Sequence, residues 1–396
     1  MDKTRLTLAL IGYWLAISLC TFASAEPHRP TDDSQVLERL SFKSSDPGAR
    51  EIRSLRDDLQ HNPRNLGTAV KLATRYIEQG RSEGDPRFLG QAQAILTPWW
   101  TGPTPPPVTL LLRATIRQSA HEFNEALADL EHVLEVDPTN AQAWLTKASI
   151  LQVQARYDEA RRACQKLARL VASHVLVGCL SDIAGMTGQS AKSKEVLRQA
   201  LSDSALSGRE RIWIATILAE TASRTEAIQE AEKSFAEAVK VGIKDHYVLG
   251  AYADFLLDQD RAPDVVSLLR SETRADGLLL RLALAEQVLK LPTFQSHAAE
   301  LAARFHAARE RGTIVHIREE ARFTLTLQHD AQRALSLALA NWTVQREPAD
   351  ARILLNSALA AGNRRAAQPV LDWLQTNHVE DFRLRQLAKQ IQEATF

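Results

Sequence analysis

Between Pro107 and Ser173 apolar residues recur three and four positions apart, in four short stretches separated by polar breaks. The segment divides into two lines of one unit, PVTLLLRATIRQSAHEFNEALADLEHVLEVDPTN (107–140) and AQAWLTKASILQVQARYDEARRACQKLARLVAS (141–173). Set one over the other, Leu110 falls on Trp144, Ala114 on Ala148, His121 on Ala155, Phe123 on Tyr157 and Ala126 on Ala160. A period of about 34 residues with two amphipathic helical patterns in each predicts stacked pairs of antiparallel helices.

The second unit shows why. Trp144, Ala148 and Leu151 mark the buried face of a first helix, and Gln154-Ala155-Arg156 is a polar break. Asp158 and Glu159 then put negative charge in the first turn of a second helix, where the helix dipole favours it. Ala160, Ala163, Cys164 and Leu167 form its apolar stripe, and Asp137-Pro138 separates this unit from the one before. Small residues at Ala114, Ala126, Ala148 and Ala160 let helices approach closely, with Phe123, Trp144 and Tyr157 filling the space around those contacts.

This pattern resembles the tetratricopeptide repeat: a large residue early, a small one in mid-helix, an aromatic at the turn, an alanine in the second helix and a proline at the unit's end. Trp144, Ala148, Tyr157, Ala160 and Asp137-Pro138 carry the match. The resemblance implies an all-α, right-handed α-solenoid, of about eight to nine helix pairs here, whose first helices line a concave groove. The expected lining is Leu111, Thr115, Gln118, Leu145, Ser149, Gln152, Asp182, Met186, Tyr247, Asp254, Asp258, Glu319, Phe323, Arg352 and Asn356. This mixture of polar and apolar side chains suits an extended peptide or a partner helix. Arg352 and Asn356, one turn apart, resemble half of the carboxylate clamp with which some family members hold peptide C-termini; the companion basic residues are absent from neighbouring units.

The rest of the chain fits around the array. Asp2, Lys3 and Arg5 precede an apolar run, Leu6 to Leu19, and Ala23-Ser24-Ala25, which is the layout of a secretory signal peptide cleaved after Ala25. A retained anchor is the competing reading, though Tyr13, Ser18, Thr21 and Ser24 shorten the run; a lipoprotein site at Cys20 has Leu19 where a small residue belongs. Residues 26–46 read as a flexible leader, 47–106 as an irregular helix pair with a proline-rich connector, 107–378 as the array and 379–396 as a capping helix. No segment after the signal is apolar enough to span a membrane, so the mature chain is expected to be exported, with the periplasm as its compartment.

Charge and chemistry narrow the function by exclusion. Lys+Arg and Asp+Glu both number 48, so no basic field points to nucleic acid. The eleven histidines contain no His-x-x-x-His pair. His316, Glu319 and Glu320 come nearest to a ligand cluster, and Asp254, Asp258 and Asp260 do not match a calcium loop. With no nucleophile elbow and no Gly-rich phosphate loop, neither catalysis nor a cofactor is expected. Cys164 and Cys179 lie at similar heights on adjacent antiparallel helices, leaving either a disulfide or two buried thiols. The leading expectation is a non-enzymatic exported scaffold for a protein or peptide partner; the alternative is a carrier holding a small molecule or glycan in the solenoid.

Overall fold

The computed structural model describes Asp32 and residues 47–312 and 316–394, so the signal segment and most of the leader lie outside the described residues. Twenty α-helices follow one another, with no strand among the described residues: α1 (Pro47–His61), α2 (Leu66–Glu83), α3 (Arg87–Trp100), α4 (Pro107–Ser119), α5 (Phe123–Val136), α6 (Ala141–Val153) and α7 (Tyr157–Lys166). Next come α8 (Ser173–Met186), α9 (Ser190–Leu201), α10 (Gly208–Arg224), α11 (Ile228–Lys240), α12 (His246–Asp258), α13 (Ala262–Leu269) and α14 (Asp276–Leu289). The last are α15 (Phe294–Glu310), α16 (Ile317–Thr326), α17 (Ala331–Val344), α18 (Pro348–Ala360), α19 (Gln368–Thr376) and α20 (Phe382–Glu393). From α2 to α19 they form nine antiparallel pairs stacked as a right-handed α-solenoid, with α20 packed on the last pair.

Each pair turns on one residue in the left-handed conformation: Gly84, His121, Ala155, Gly188, Glu226, Asp260, Lys290, His329 and Gly362, with φ between 55° and 74°. Helix starts are held by side chains that accept from backbone N–H groups, Asn140 from Ala143 at 3.0 Å and Asp381 from Leu384 at 3.0 Å. Asp85 does the same for α3, accepting from the Arg87 N–H at 3.0 Å. That capping role accounts for Asp85 within the Gly84-Asp85-Pro86-Arg87 loop.

The aligned small residues sit where helices cross: Ala114, Ala126, Ala148 and Ala160 are all buried. Cys164 and Cys179 are bonded, tying α7 to α8 with Cα atoms 5.8 Å apart. Trp144 differs from expectation. The buried residues of α6 are Ala143, Thr146, Ala148, Ile150 and Leu151, so Trp144 lies at the margin of its packed face, half-buried. Its indole N–H donates to the Pro138 carbonyl at 2.9 Å, and Lys147 and Lys166 stand over the ring at 5.8 and 6.0 Å.

Successive turns of the solenoid touch. Lys244 bridges Glu83 at 2.8 Å and Glu272 at 3.0 Å, while His246 Nδ1 reaches the Arg81 carbonyl at 2.5 Å. Further along, Ser190 N–H donates to Glu380 at 2.9 Å and Arg346 N–H to the Val153 carbonyl at 2.8 Å. Apart from Lys244–Glu272, these bonds join residues 161 to 193 positions apart, about five repeat units. Gly84 is required at one of them, because a Cβ there would stand 2.8 Å from Ala275 Cβ in a backbone of φ 63°. The largest apolar cluster accordingly unites α4–α8 with α16–α20, and Trp342 packs edge-on against Trp373 within it.

Candidate functional site

One face of each first helix packs on its own second helix, so the opposite face is turned inward, and the contact between turns bounds the space on one side. The result is a cavity of ≈ 1100 Å³. Nine of the fifteen expected residues line it: Gln152, Asp182, Met186, Tyr247, Asp254, Asp258, Glu319, Arg352 and Asn356. The other six do not. Leu111 and Leu145 pack on the core shared with α16–α20, Thr115 is buried with its hydroxyl donating to the Leu111 carbonyl, and Gln118 donates to Ser149 at 3.2 Å. Phe323 is a core residue, its ring 5.4 Å from Phe305. The concave side is therefore a half-open chamber lined by residues from Gly80 to Leu384, and α4 and α6 contribute little to it.

The chamber is lined mainly by ion pairs. Asp254 accepts from Arg281 at 2.5 Å and Arg322 at 2.6 Å. Burial pushes its carboxyl up, but the two guanidinium groups outweigh burial and hold it well below the usual range. One turn along α12, Asp258 takes a bidentate pair from Arg352 at 2.6 and 2.8 Å and a third bond from Arg383 at 3.1 Å. Arg352, expected as half of a carboxylate clamp, is thus engaged by a carboxylate of the chain itself. Arg318 contacts Glu347 at 3.1 Å and Asp350 at 3.5 Å. Against burial, Arg318, His316 and Arg281 lower the Glu319 carboxyl to about 2.

Two carboxylates lack such pairing. Asp182 on α8 and Glu220 on α10 form no ion pair among the described residues, and Glu220 accepts a hydrogen bond from the Tyr247 hydroxyl at 2.9 Å. Burial raises the Asp182 carboxyl. Burial, with the neighbouring charges of Asp182 and Glu347, raises that of Glu220 to about 7, Arg224 opposing. Glu347 is raised by burial and Asp350. Tyr247 keeps 53% of its surface accessible although protein surrounds it, because its ring faces the chamber.

His316, Glu319 and Glu320 do not converge. Glu320 turns to Arg309 and, at 2.8 Å, Arg333, while Glu319 stays with Arg318. Among the described residues no three side chains are placed to hold a metal ion, and no helix is long and apolar enough to cross a membrane. Sequence reasoning missed Arg224, Arg281, Arg318, Arg322, Arg383, Glu220 and Glu347. Only Arg281 and Glu220 carry a signal, a lone charge at an apolar run, in Leu278-Leu279-Leu280-Arg281-Leu282 and Ile217-Leu218-Ala219-Glu220; the others stand in polar surroundings.

The fold and this chamber define a helical-repeat scaffold with a charged interior. Residues 118–173 match the tetratricopeptide-repeat family. Human IFIT1, solved as a dimer with m7Gppp-AAAA, is similar over 84% of this chain and 86% of its own, at 14% identity and TM-score 0.44. The APC/C hetero-tetramer Cut9–Hcn1 is similar over 87% of this chain at 14% identity and TM-score 0.40, and this chain spans about half, 53%, of that one. The tetratricopeptide domain of P58(IPK) is similar over 82% of this chain and 97% of its own, at 13% identity and TM-score 0.23. No curated protein matches the chain.

Proposed function

We propose that the protein is an exported, non-catalytic scaffold that holds a charged segment of a protein partner inside the solenoid, in assembly of a cell-envelope or secretion complex. The observation that carries this reading is the chamber itself: the inward faces of the first helices present carboxylates and guanidinium groups to one half-open space. Two features support the compartment: the signal-like layout before Ala25 and the Cys164–Cys179 disulfide, a bond that persists in oxidising surroundings. Photo-reactive side chains placed at Gln152 and Tyr247, with outward Arg161 as control, should capture one protein from the envelope fraction through the interior positions only. Equal capture from Arg161, or none from the interior in a folded exported protein, overturns the reading. A chamber of ≈ 1100 Å³ also suits a second reading, a carrier for a small molecule or glycan. Native mass spectrometry of protein isolated from the envelope would then show a bound mass in place of a partner.

A further inference from the structure

Successive turns of the solenoid meet in two kinds of contact. Where the end of α6 and the α8–α9 corner meet α17–α20, the Arg346 N–H donates to the Val153 carbonyl at 2.8 Å and the Ser190 N–H to Glu380 at 2.9 Å. Behind these bonds one apolar cluster runs from α4–α8 into α16–α20. Separating those helices would expose that core to water, at a cost that grows with the area uncovered. Where the end of α2 meets the approach to α12, no such core lies behind the contact. Neither the cluster of α4–α8 with α16–α20 nor that of α10–α16 contains a residue of α2 or α3.

Charge and hydrogen bonds hold this second contact. Lys244, on the irregular stretch between α11 and α12, bridges Glu83 at the end of α2 and Glu272 beyond α13, one ammonium shared by two carboxylates. The Ser82 hydroxyl donates to the Lys244 carbonyl at 3.4 Å, and the His246 imidazole to the Arg81 carbonyl at 2.5 Å. Where the backbones come closest the side chains are small, Gly84 against Ala275, so the approach buries little apolar surface. Lys244, Glu83 and Glu272 all stay partly exposed. Ion pairs that water reaches are weak and are weakened further by salt. On its other side the α2–α3 pair stacks on α4, to which it is joined by Thr101–Pro106, exposed over its first four residues. The contact also borders the chamber, which Arg81, Gly84 and Pro86 line from one bank and His246 and Ala275 from the other.

We propose that this contact is the gate of the chamber. The α2–α3 pair swings away from α12 when the Lys244 bridge is broken, while the contact of α6–α9 with α17–α20 stays shut as a permanent seam. Segments held by few buried apolar contacts and by exposed hydrogen bonds are the ones that open at low free-energy cost. Opening at the polar contact widens the mouth of the chamber without uncovering a core. The gate concerns access, and it holds whatever the chamber binds.

The test is the distance between paired spin labels on the full chain, measured by double electron–electron resonance. Cys20→Ser removes the one cysteine outside the disulfide. Labels at the exposed positions Gln91 and Lys240 span the gate, and labels at the exposed positions Lys192 and Gln375 span the seam. Raising sodium chloride from about 0.1 M to about 1 M shortens the screening length from about 10 Å to about 3 Å, and should add a longer distance at the gate only. Lys244→Met should show that longer distance already at the lower salt. Lys244→Glu combined with Glu83→Lys and Glu272→Lys reverses every charge of the bridge and should restore the short distance. Thermal melts identify any variant that fails to fold; Glu83→Gln with Glu272→Gln, which breaks the bridge from its other side, should then behave as Lys244→Met. A gate distance unmoved by both salt and the loss of the bridge, or gate and seam widening together, overturns the proposal. No ligand enters these measurements, so their failure leaves the scaffold reading to its own test, capture through Gln152.

Discussion

Replacing Glu220 by glutamine should stabilise the protein at neutral and alkaline pH and leave it nearly unchanged in acid. Burial and neighbouring carboxylates raise the Glu220 carboxyl from the ordinary 4.5 to about 7. A carboxyl raised in the folded state binds its proton more tightly there than in the unfolded chain. Stability is therefore greatest below pH 4.5 and falls as pH climbs through 7. A shift of this size corresponds to about 3 kcal/mol when integrated. Water reaches the chamber and screens part of that charge, which leaves about 1–2 kcal/mol. Glutamine has nearly the same shape and never ionises, and its amide oxygen can still accept from Tyr247. Urea unfolding of both proteins between pH 4 and 8.5, with slopes checked for equality, should show midpoints that coincide in acid and separate progressively toward pH 8. A gap that stays constant with pH, or a variant less stable at pH 8, would refute the argument.

Other perturbations test the packing. Gly178→Ala puts a methyl group 2.6 Å from the Trp213 ring and should lower stability by about 1–3 kcal/mol, read as a fall in melting temperature. Ala160→Leu should cost about the same at its helix crossing, whereas Trp144→Ala should cost only about 1 kcal/mol, since the half-exposed indole leaves little cavity. Comparable losses for the two in parallel melts would contradict the observed placement of Trp144. Reduction of Cys164–Cys179, which closes a 15-residue separation, should remove about 3 kcal/mol, measured as the urea midpoint with and without reductant.

What could be read from the sequence was local. Ala114, Ala126, Ala148 and Ala160 recur at the repeat period because every unit faces the same steric problem. The spacing of Cys164 and Cys179 about one turn placed their sulfurs at matching heights, which narrowed them to two outcomes. Trp144 was misjudged because periodicity locates a helix face only to within its margin, and the indole has a polar end that seeks a carbonyl. The left-handed residues at His121 and Ala155 looked like ordinary polar breaks; nothing in their identity announces that conformation. The chamber was hidden for a different reason. Charges such as Arg281, Arg322 and Asp254 look like a solvated helix face, and instead they pair with one another inside the solenoid. The chamber they line depends on bonds such as Lys244–Glu83, between residues 161 positions apart, and no sequence period encodes those.

The contacts between turns also change how the chain holds together. In an open array each repeat knows only its neighbours, so the ends fray independently and stability is a sum of adjacent couplings. Here Glu380 answers to Ser190, and Arg383 to the Ser223 carbonyl 160 residues upstream. Loss of the final helix would therefore be felt in the middle of the chain, and the two ends should melt together rather than in succession. Native contacts of such long span slow folding. A repeat made early in synthesis must wait for residues yet to emerge from the ribosome before its last bonds can form.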